Sequence, residues 1–101
     1  MVIFIYDKTF EGLLTTVFDA YSYKKYPDVL LGEGETLPLF YDKSFTVTTD
    51  TERSERVWKG LQKKLSAPAL SQLTTCWLSE LPGIDLLLFR YIQGDRRTAL
   101  H

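Results

Sequence analysis

The first apolar positions of the chain form a continuous run from Val2 to Tyr6 that is rich in β-branched and aromatic residues. A short run of this kind is typical of a strand buried on both faces. Residues 45–49 alternate and predict a second strand. If both strands share a sheet, the helical segment between them makes them parallel, with a right-handed connection.

Apolar residues recur at helical spacing in four other segments. The predicted helices span residues 9–24, 51–65, 67–81 and 84–93. The third of these is expected to bury Leu70, Leu73, Trp77, Leu78 and Leu81. The predicted core as a whole contains Phe4, Val17, Phe18, Trp58, Leu61, Leu73, Trp77 and Leu87.

Residues with short polar side chains stand where these helices are expected to begin. Asp7 or Thr9 can cap the first helix, and the capping-box pattern that starts at Thr49 predicts the beginning of the second. Ser66 caps the third helix, with a proline in its first turn. Gly94 is expected to end the last helix.

A long connection with several glycines and prolines occupies residues 26–44. Connections of this length inside a compact domain are uncommon. The segment is nevertheless too apolar for a solvated linker, since it contains Leu30, Leu31, Leu37, Leu39, Phe40 and Tyr41. We therefore expect it to fold back over the core and to include a short extra strand.

The predicted fold class is α+β. The order β-α-loop-β-α-α-α describes a helix-rich single domain over residues 1–101, with a small sheet of two or three strands. A chain of 101 residues is large enough for one core but too short for two.

The charge and cysteine content restrict the partners of the protein. Twelve basic residues against thirteen acidic ones give no overall attraction for DNA or a membrane, so nucleic-acid binding needs a local basic patch. Cys76 is the one cysteine, which excludes an internal disulfide and fits a reducing compartment. The apolar run at the start lacks the features of a signal peptide or a spanning helix. We expect a cytoplasmic protein that does not enter a membrane.

Several enzyme chemistries lack their residues in this sequence. One cysteine cannot hold an iron–sulfur cluster, and His101, the one histidine, supports neither a zinc site nor a nucleophile–histidine pair. Asp7 and Glu11 are a possible carboxylate pair, but a helix cap and a dipole partner explain them more simply. Cys76 is expected to be a partly buried bystander. No catalytic residue, metal or cofactor is assigned, and whether the protein is an enzyme stays open.

A candidate nucleic-acid-binding surface lies on the second predicted helix. At 100° per residue, Arg56, Lys59 and Lys63 share the side opposite the apolar stripe. Such a face can lie along phosphates. The alternative is a solvated helix face, because glutamates placed four residues before Arg56 and Lys59 form stabilising pairs.

Arg90 and Tyr91 form a second candidate site, with Arg96 and Arg97 following them. An arginine beside an aromatic ring can stack on a base or bind a phosphate. Alternatively, Arg90 pairs with Glu80 or Asp85 while Tyr91 packs in the core.

Three stretches occur in an order that resembles one protein family. They read FIYDKTFEGLLTTVFDAY at residues 4–21, ERVWKGLQKKLS at 55–66 and LSELPGIDLLLFRYI at 78–92. Together they resemble the bacterial "probable DNA metabolism protein" family, a domain of unknown function. Members of that family continue beyond the last motif, so we expect this chain to match the N-terminal part of the family unit, with a natural short form as the alternative.

The resemblance implies partners more than a mechanism. Such proteins are encoded beside a radical SAM protein described as DNA-modifying, and some are fused to a uracil-DNA glycosylase-like domain. The leading hypothesis is therefore an accessory or recognition domain in bacterial DNA repair or modification. The alternatives are a protein-interaction module without DNA contact, and the N-terminal part of an enzyme whose catalytic portion lies elsewhere.

Overall fold

A computed structural model describes the backbone of residues 1–99 and the side chains of residues 1–93. The chain forms, in order, β1 (Val2–Tyr6), α1 (Phe10–Tyr23), β2 (Val29–Gly32), β3 (Lys43–Thr46), α2 (Thr51–Lys64), α3 (Ala67–Leu78) and α4 (Ile84–Ala99). The predicted α+β class is confirmed, and the extra strand expected within residues 26–44 is β2.

The sheet has three strands in the order β2-β1-β3, and β1 pairs in parallel with both neighbours. Phe4 lies opposite Leu30 on one side and opposite Phe45 on the other. As the central strand, β1 is buried on both faces, which is why Ile3 and Phe4 can both be fully buried. The second predicted strand is displaced, since β3 begins at Lys43 and ends at Thr46.

Part of the long connection does not cover the core, contrary to the prediction. Leu39 is 87% exposed and Phe40 is 81% exposed. The topology explains this, because β2 and β3 are parallel and lie on opposite sides of β1. The chain has to return from the end of one edge strand to the beginning of the other, and residues 33–42 do so without a helix.

Thr9, rather than Asp7, caps α1. The Thr9 hydroxyl accepts a 2.9 Å hydrogen bond from the Gly12 amide. Asp7 supports this cap. Its carboxylate accepts hydrogen bonds from the Thr9 amide, the Thr9 hydroxyl and the Thr49 hydroxyl. Partial burial acts to raise the pKa of Asp7, but the hydrogen bonds from Thr49 and Thr9 bring that pKa below its usual value.

Helix α2 begins at residue 51 as predicted, but its cap lies one residue later than the predicted Thr49. Because the Thr49 hydroxyl donates to Asp7, the cap is Asp50, whose carboxylate accepts from the Arg53 amide at 2.9 Å. The predicted Ser66 cap of α3 is confirmed by its 3.3 Å bond from the Ala69 amide.

The core lies between the sheet and the helices. Phe4, Val17, Leu61 and Leu73 are buried as predicted, while Phe18, Trp58 and Trp77 are partly buried and pack against the core. Leu87 is 62% exposed, so its predicted burial is wrong. Helix α4 instead turns Leu88, Phe89 and Ile92 inward, which places Leu87 on the outside.

The ends of α3 and α4 also differ from expectation. Helix α3 stops at Leu78, and Leu78 and Leu81 are exposed rather than part of its buried face. Helix α4 continues through Gly94 to Ala99, so Gly94 does not end it. A glycine inside a helix costs only about 1 kcal/mol, which a packed helix tolerates. In the described part of the chain, no helix is long and apolar enough to span a lipid bilayer.

Candidate functional site

The structure places Arg56, Lys59 and Lys63 on one exposed side of α2, and we call these three residues the basic face. Val57 and Leu61 are buried on the opposite side of the same helix. Two turns of helix thus present three cations to solvent, which is the arrangement that the spacing predicts.

Two contacts limit the positive charge on and beside this surface. The Arg56 guanidinium pairs with Glu52 at 3.2 Å, and both side chains are largely exposed. Exposed pairs of this kind contribute about 0–1 kcal/mol, so the Arg56 guanidinium can exchange Glu52 for another anion. Arg53 differs, since its guanidinium is bound to the buried Asp19 carboxylate and joins α2 to α1. We therefore exclude Arg53 from the basic face.

Arg90 lies on another helix, α4, and its side chain is exposed. Tyr91 beside it is 48% exposed, so the alternative in which Tyr91 packs in the core is wrong. The alternative partner Asp85 is occupied by Tyr6 and Lys8. The side chains of Arg96 and Arg97, and the whole of His101, lie outside the described residues. Cys76 is exposed rather than partly buried.

A site that the sequence analysis did not identify lies at the carboxyl end of β1. A cleft of about 320 Å³ opens there between the end of the strand and the α3–α4 turn. Its polar residues are Tyr6, Lys8, Glu80 and Asp85, and its apolar wall includes Trp77 and Leu81. Ligands of parallel sheets characteristically bind outside the carboxyl ends of the strands. The position and size of the cleft therefore suit a small ligand.

Asp85 is the centre of the polar part of this cleft. Its carboxylate is almost fully buried, and it accepts a 2.8 Å hydrogen bond from the Tyr6 hydroxyl and a 3.0 Å bond from the Lys8 ammonium. Burial and the bond to Asp85 raise the pKa of Tyr6 far above its ordinary value, so this phenol stays a proton donor. The Asp85 carboxylate also accepts a 2.8 Å bond from the Leu86 amide, so the buried charge has three donors. The carboxylate in turn fixes the position of the Lys8 ammonium.

Lys8 has a left-handed backbone, with φ of 64°. Lys24 and Glu80 share this conformation, but Lys24 is the C-cap of α1 and Glu80 follows the C-cap of α3, where left-handed residues are common. Lys8 lies at no helix end of that kind. The conformation costs about 1–2 kcal/mol in a residue with a side chain, and such strain is concentrated at functional sites.

The second strand also holds Lys8 in place. A Cβ atom on Gly32 would lie 2.8 Å from Lys8 Cγ, so the lysine stem passes directly over the β2 backbone. A glycine at this position is what allows the close approach. Lys8 is thereby positioned by β2 and by α4, although its side chain is still 46% exposed at the cleft.

An apolar surface is formed by residues 37–41, which we call the apolar segment. Leu37, Leu39, Phe40 and Tyr41 are all exposed. Leu39, Phe40 and Tyr41 line a shallow groove with Met1 and Asp42. The Asp42 amide donates a 2.8 Å hydrogen bond to the Met1 carbonyl, which holds the end of the segment beside the start of β1.

The chain matches no protein-family model, no curated protein and no solved structure with which it was compared. Among the residues that the structure describes, no group of three or more histidine, cysteine, aspartate or glutamate side chains is placed to hold a metal ion. The candidate surfaces are therefore the basic face, the apolar segment and the cleft.

Proposed function

We propose that this chain is an accessory or recognition domain of bacterial DNA metabolism, in repair or modification. It acts in the cytoplasm with a radical SAM or uracil-DNA glycosylase-like partner protein. The resemblance of the three motifs supports the process and the type of partner. The observation that carries the accessory role is the exposure of Leu39 and Phe40 in the apolar segment.

The physical reason is the exposure of two adjacent large apolar side chains, Leu39 and Phe40. Single exposed leucines are ordinary, but adjacent large apolar side chains that remain in water are typical of surfaces that another protein covers. Leu39 is 87% exposed and Phe40 is 81% exposed, so a bound partner can bury nearly the whole of both side chains. Full burial of such a side chain contributes about 1.5–3 kcal/mol.

The test is a binding measurement between the full chain and a radical SAM protein of the kind encoded beside the family that the three motifs resemble. We expect an association that tolerates salt, because apolar burial provides most of its free energy. The double variant Leu39→Ser, Phe40→Ser is expected to weaken it at least tenfold. Leu87→Ser is the matched control, because Leu87 is an exposed leucine on a different element.

Two results contradict this proposal. One is the absence of binding to the radical SAM protein and to a uracil-DNA glycosylase-like domain at micromolar concentration. The other is an association that Leu87→Ser weakens as much as the double variant does.

Direct DNA contact through the basic face is a second candidate function. It is favoured by the exposure of Arg56, Lys59 and Lys63 on one side of a single helix. The two functions differ in their response to salt, since phosphate contacts weaken as salt rises and apolar contacts do not.

A further inference from the structure

The cleft at the end of β1 combines a fixed cation with an apolar wall. We propose that it binds a small ligand that has a flat apolar body and one anionic group, either a carboxylate or a phosphate. The anionic group binds the Lys8 ammonium, and the flat body lies against Trp77. A cleft of about 320 Å³ is at the lower end of the volumes that small-ligand pockets occupy, which suits a single ring with its substituent.

The hydrogen bonding of Lys8 supports the anionic part of this proposal. An ammonium group has three N–H donors. The Lys8 ammonium donates to Asp85 while the lysine side chain remains about half-exposed, so the ammonium can also donate into the cleft. Asp85 also accepts a hydrogen bond from the Tyr6 hydroxyl, so its buried carboxylate does not depend on Lys8 alone for a donor. The ammonium can therefore be shared between the buried carboxylate and a ligand.

The arrangement also prepares Lys8 for binding before a ligand arrives. A free lysine side chain loses much rotamer freedom when it binds an anion. Here the contact with Asp85 and the close approach to Gly32 already restrict it. The left-handed backbone of Lys8 is the strained feature that accompanies this placement.

Trp77 forms the aromatic part of the wall. Its ring packs against Phe10, with ring centroids 5.6 Å apart, so its orientation is fixed from the core side. Leu81 and Pro82 are further apolar residues that line the cleft. A fixed indole next to aliphatic side chains favours a planar partner.

Glu80 provides an opposite charge at the same cleft. It lines the cleft and is exposed, so its negative charge opposes an anionic ligand and is partly screened by solvent. Removing this charge is therefore expected to strengthen anion binding, whereas removing the Lys8 charge weakens it. These opposite signs distinguish a specific anion site from general apolar adsorption.

The experiment follows Trp77 fluorescence in the full chain carrying Trp58→Phe, which leaves Trp77 as the single tryptophan. Phenyl phosphate and benzoate are titrated as probes, and benzyl alcohol is the neutral analogue. We expect saturable binding of at least one of the two anions and weaker binding of benzyl alcohol. The tighter of phenyl phosphate and benzoate identifies the anionic group.

The variants assign the binding to the cleft. Lys8→Gln keeps a donor for Asp85 and is expected to weaken anion binding about tenfold, since it removes a charge-assisted hydrogen bond. Glu80→Gln is expected to strengthen it about twofold. Lys25→Gln is the control, because Lys25 is an exposed lysine just beyond α1 and does not line the cleft.

The proposal is overturned if neither anion gives a saturable change, if benzyl alcohol binds as tightly as the better anion, or if Lys8→Gln and Lys25→Gln have the same effect. Circular dichroism establishes that each variant is folded. Should Lys8→Gln fail to fold, Glu80→Gln decides, because unchanged or weaker anion binding in that variant also overturns the proposal.

Discussion

Asp85 holds a negative charge at a position that is only 7% exposed, and two side chains together with the Leu86 amide make this possible. Lys8 supplies a positive charge, and Tyr6 supplies a neutral hydroxyl from a fully buried ring. A buried carboxylate that loses a partner pays for its desolvation without compensation. The Tyr6 hydroxyl is therefore expected to contribute measurably to folding.

Tyr6→Phe is expected to lower the free energy of unfolding at pH 7 by about 1–3 kcal/mol, as measured in urea. The ring and its packing remain, so the change reports the hydroxyl. Tyr91→Phe is the matched control and is expected to change stability by less than about 0.5 kcal/mol, because Tyr91 is half-exposed. Equal stabilities of Tyr6→Phe and the parent would show that the Asp85 contact adds nothing.

The raised pKa of Tyr6 also has a pH signature. In the unfolded chain a tyrosine ionises near pH 10, whereas burial and Asp85 keep Tyr6 protonated in the folded protein. Unfolding therefore releases a proton above pH 10, so the contribution of Tyr6 is complete below that pH and is lost above it. The loss approaches about 1.4 kcal/mol per pH unit.

We expect the stability advantage of the parent over Tyr6→Phe to be constant from pH 7 to 9 and to shrink between pH 10 and 11. Every other ionisable group is common to the two proteins, so the difference isolates Tyr6. Urea unfolding at each pH measures it. Two parallel stability curves up to pH 11 are incompatible with the raised pKa.

Gly12 shows how a residue that weakens a helix can still stabilise the molecule. A Cβ atom there would collide with Asp7 Oδ1 and would lie 2.9 Å from Thr49 Oγ1. These atoms form the hydrogen-bond network that fixes the cap of α1. The glycine is thus required by the close approach of the β1–α1 turn to the segment before α2.

Gly12→Ala is expected to destabilise the protein by about 1–3 kcal/mol, although alanine is the better helix former. Ser71→Ala in α3 is the control, because Ser71 is exposed and alanine is the better helix former, so this variant is expected to stabilise by up to about 0.5 kcal/mol. Thermal unfolding compares the two variants. A stabilising Gly12→Ala would mean that the collision is relieved at little cost.

The helices were predictable because their apolar positions repeat along the sequence. The ends of the helices were less predictable, because they depend on contacts between residues that are far apart in the sequence. The α2 cap moves from Thr49 to Asp50 because Thr49 donates to Asp7, 42 residues earlier. The cleft was not predictable for the same reason, since the Tyr6–Asp85 contact joins residues 79 positions apart.

The basic face was predictable because it needs only the geometry of one helix, but DNA binding there stays a prediction. The triple variant Arg56→Gln, Lys59→Gln, Lys63→Gln is expected to weaken DNA binding. It should also reduce the slope of log affinity against log salt, by up to about 0.9 per lost phosphate contact on duplex DNA, or about 0.7 on a single strand. Fluorescence anisotropy at several salt concentrations measures both quantities.

The stability of this triple variant is expected to change little, because the three side chains are exposed and lose only a weak pair with Glu52. Lys24→Gln, Lys25→Gln and Lys43→Gln together make a control with the same change of charge away from α2. Equal slopes for the two triple variants, or no DNA binding by the parent at low salt, would assign the α2 cations to solubility.

The basic face and the apolar segment, the two surfaces proposed for DNA and a partner protein, belong to different elements. The apolar segment lies between β2 and β3, and the basic face lies on α2. Residues 33–42, which connect β2 to β3 and contain the apolar segment, are not part of the hydrophobic core that α2 packs on and do not cap α2. A change in either surface is therefore expected to leave the other in its native geometry.

We therefore expect the two surfaces to be separable by mutation. The Leu39→Ser, Phe40→Ser variant should lose partner association and retain DNA affinity and its salt slope, while the α2 triple variant should show the reverse. In the combined variant each loss should equal that of the corresponding single-surface variant within about 0.5 kcal/mol, as expected for sites that share no contacts. Loss of both interactions from either variant alone would mean that partner and DNA use one continuous surface, and the separate assignment of the two faces would be wrong.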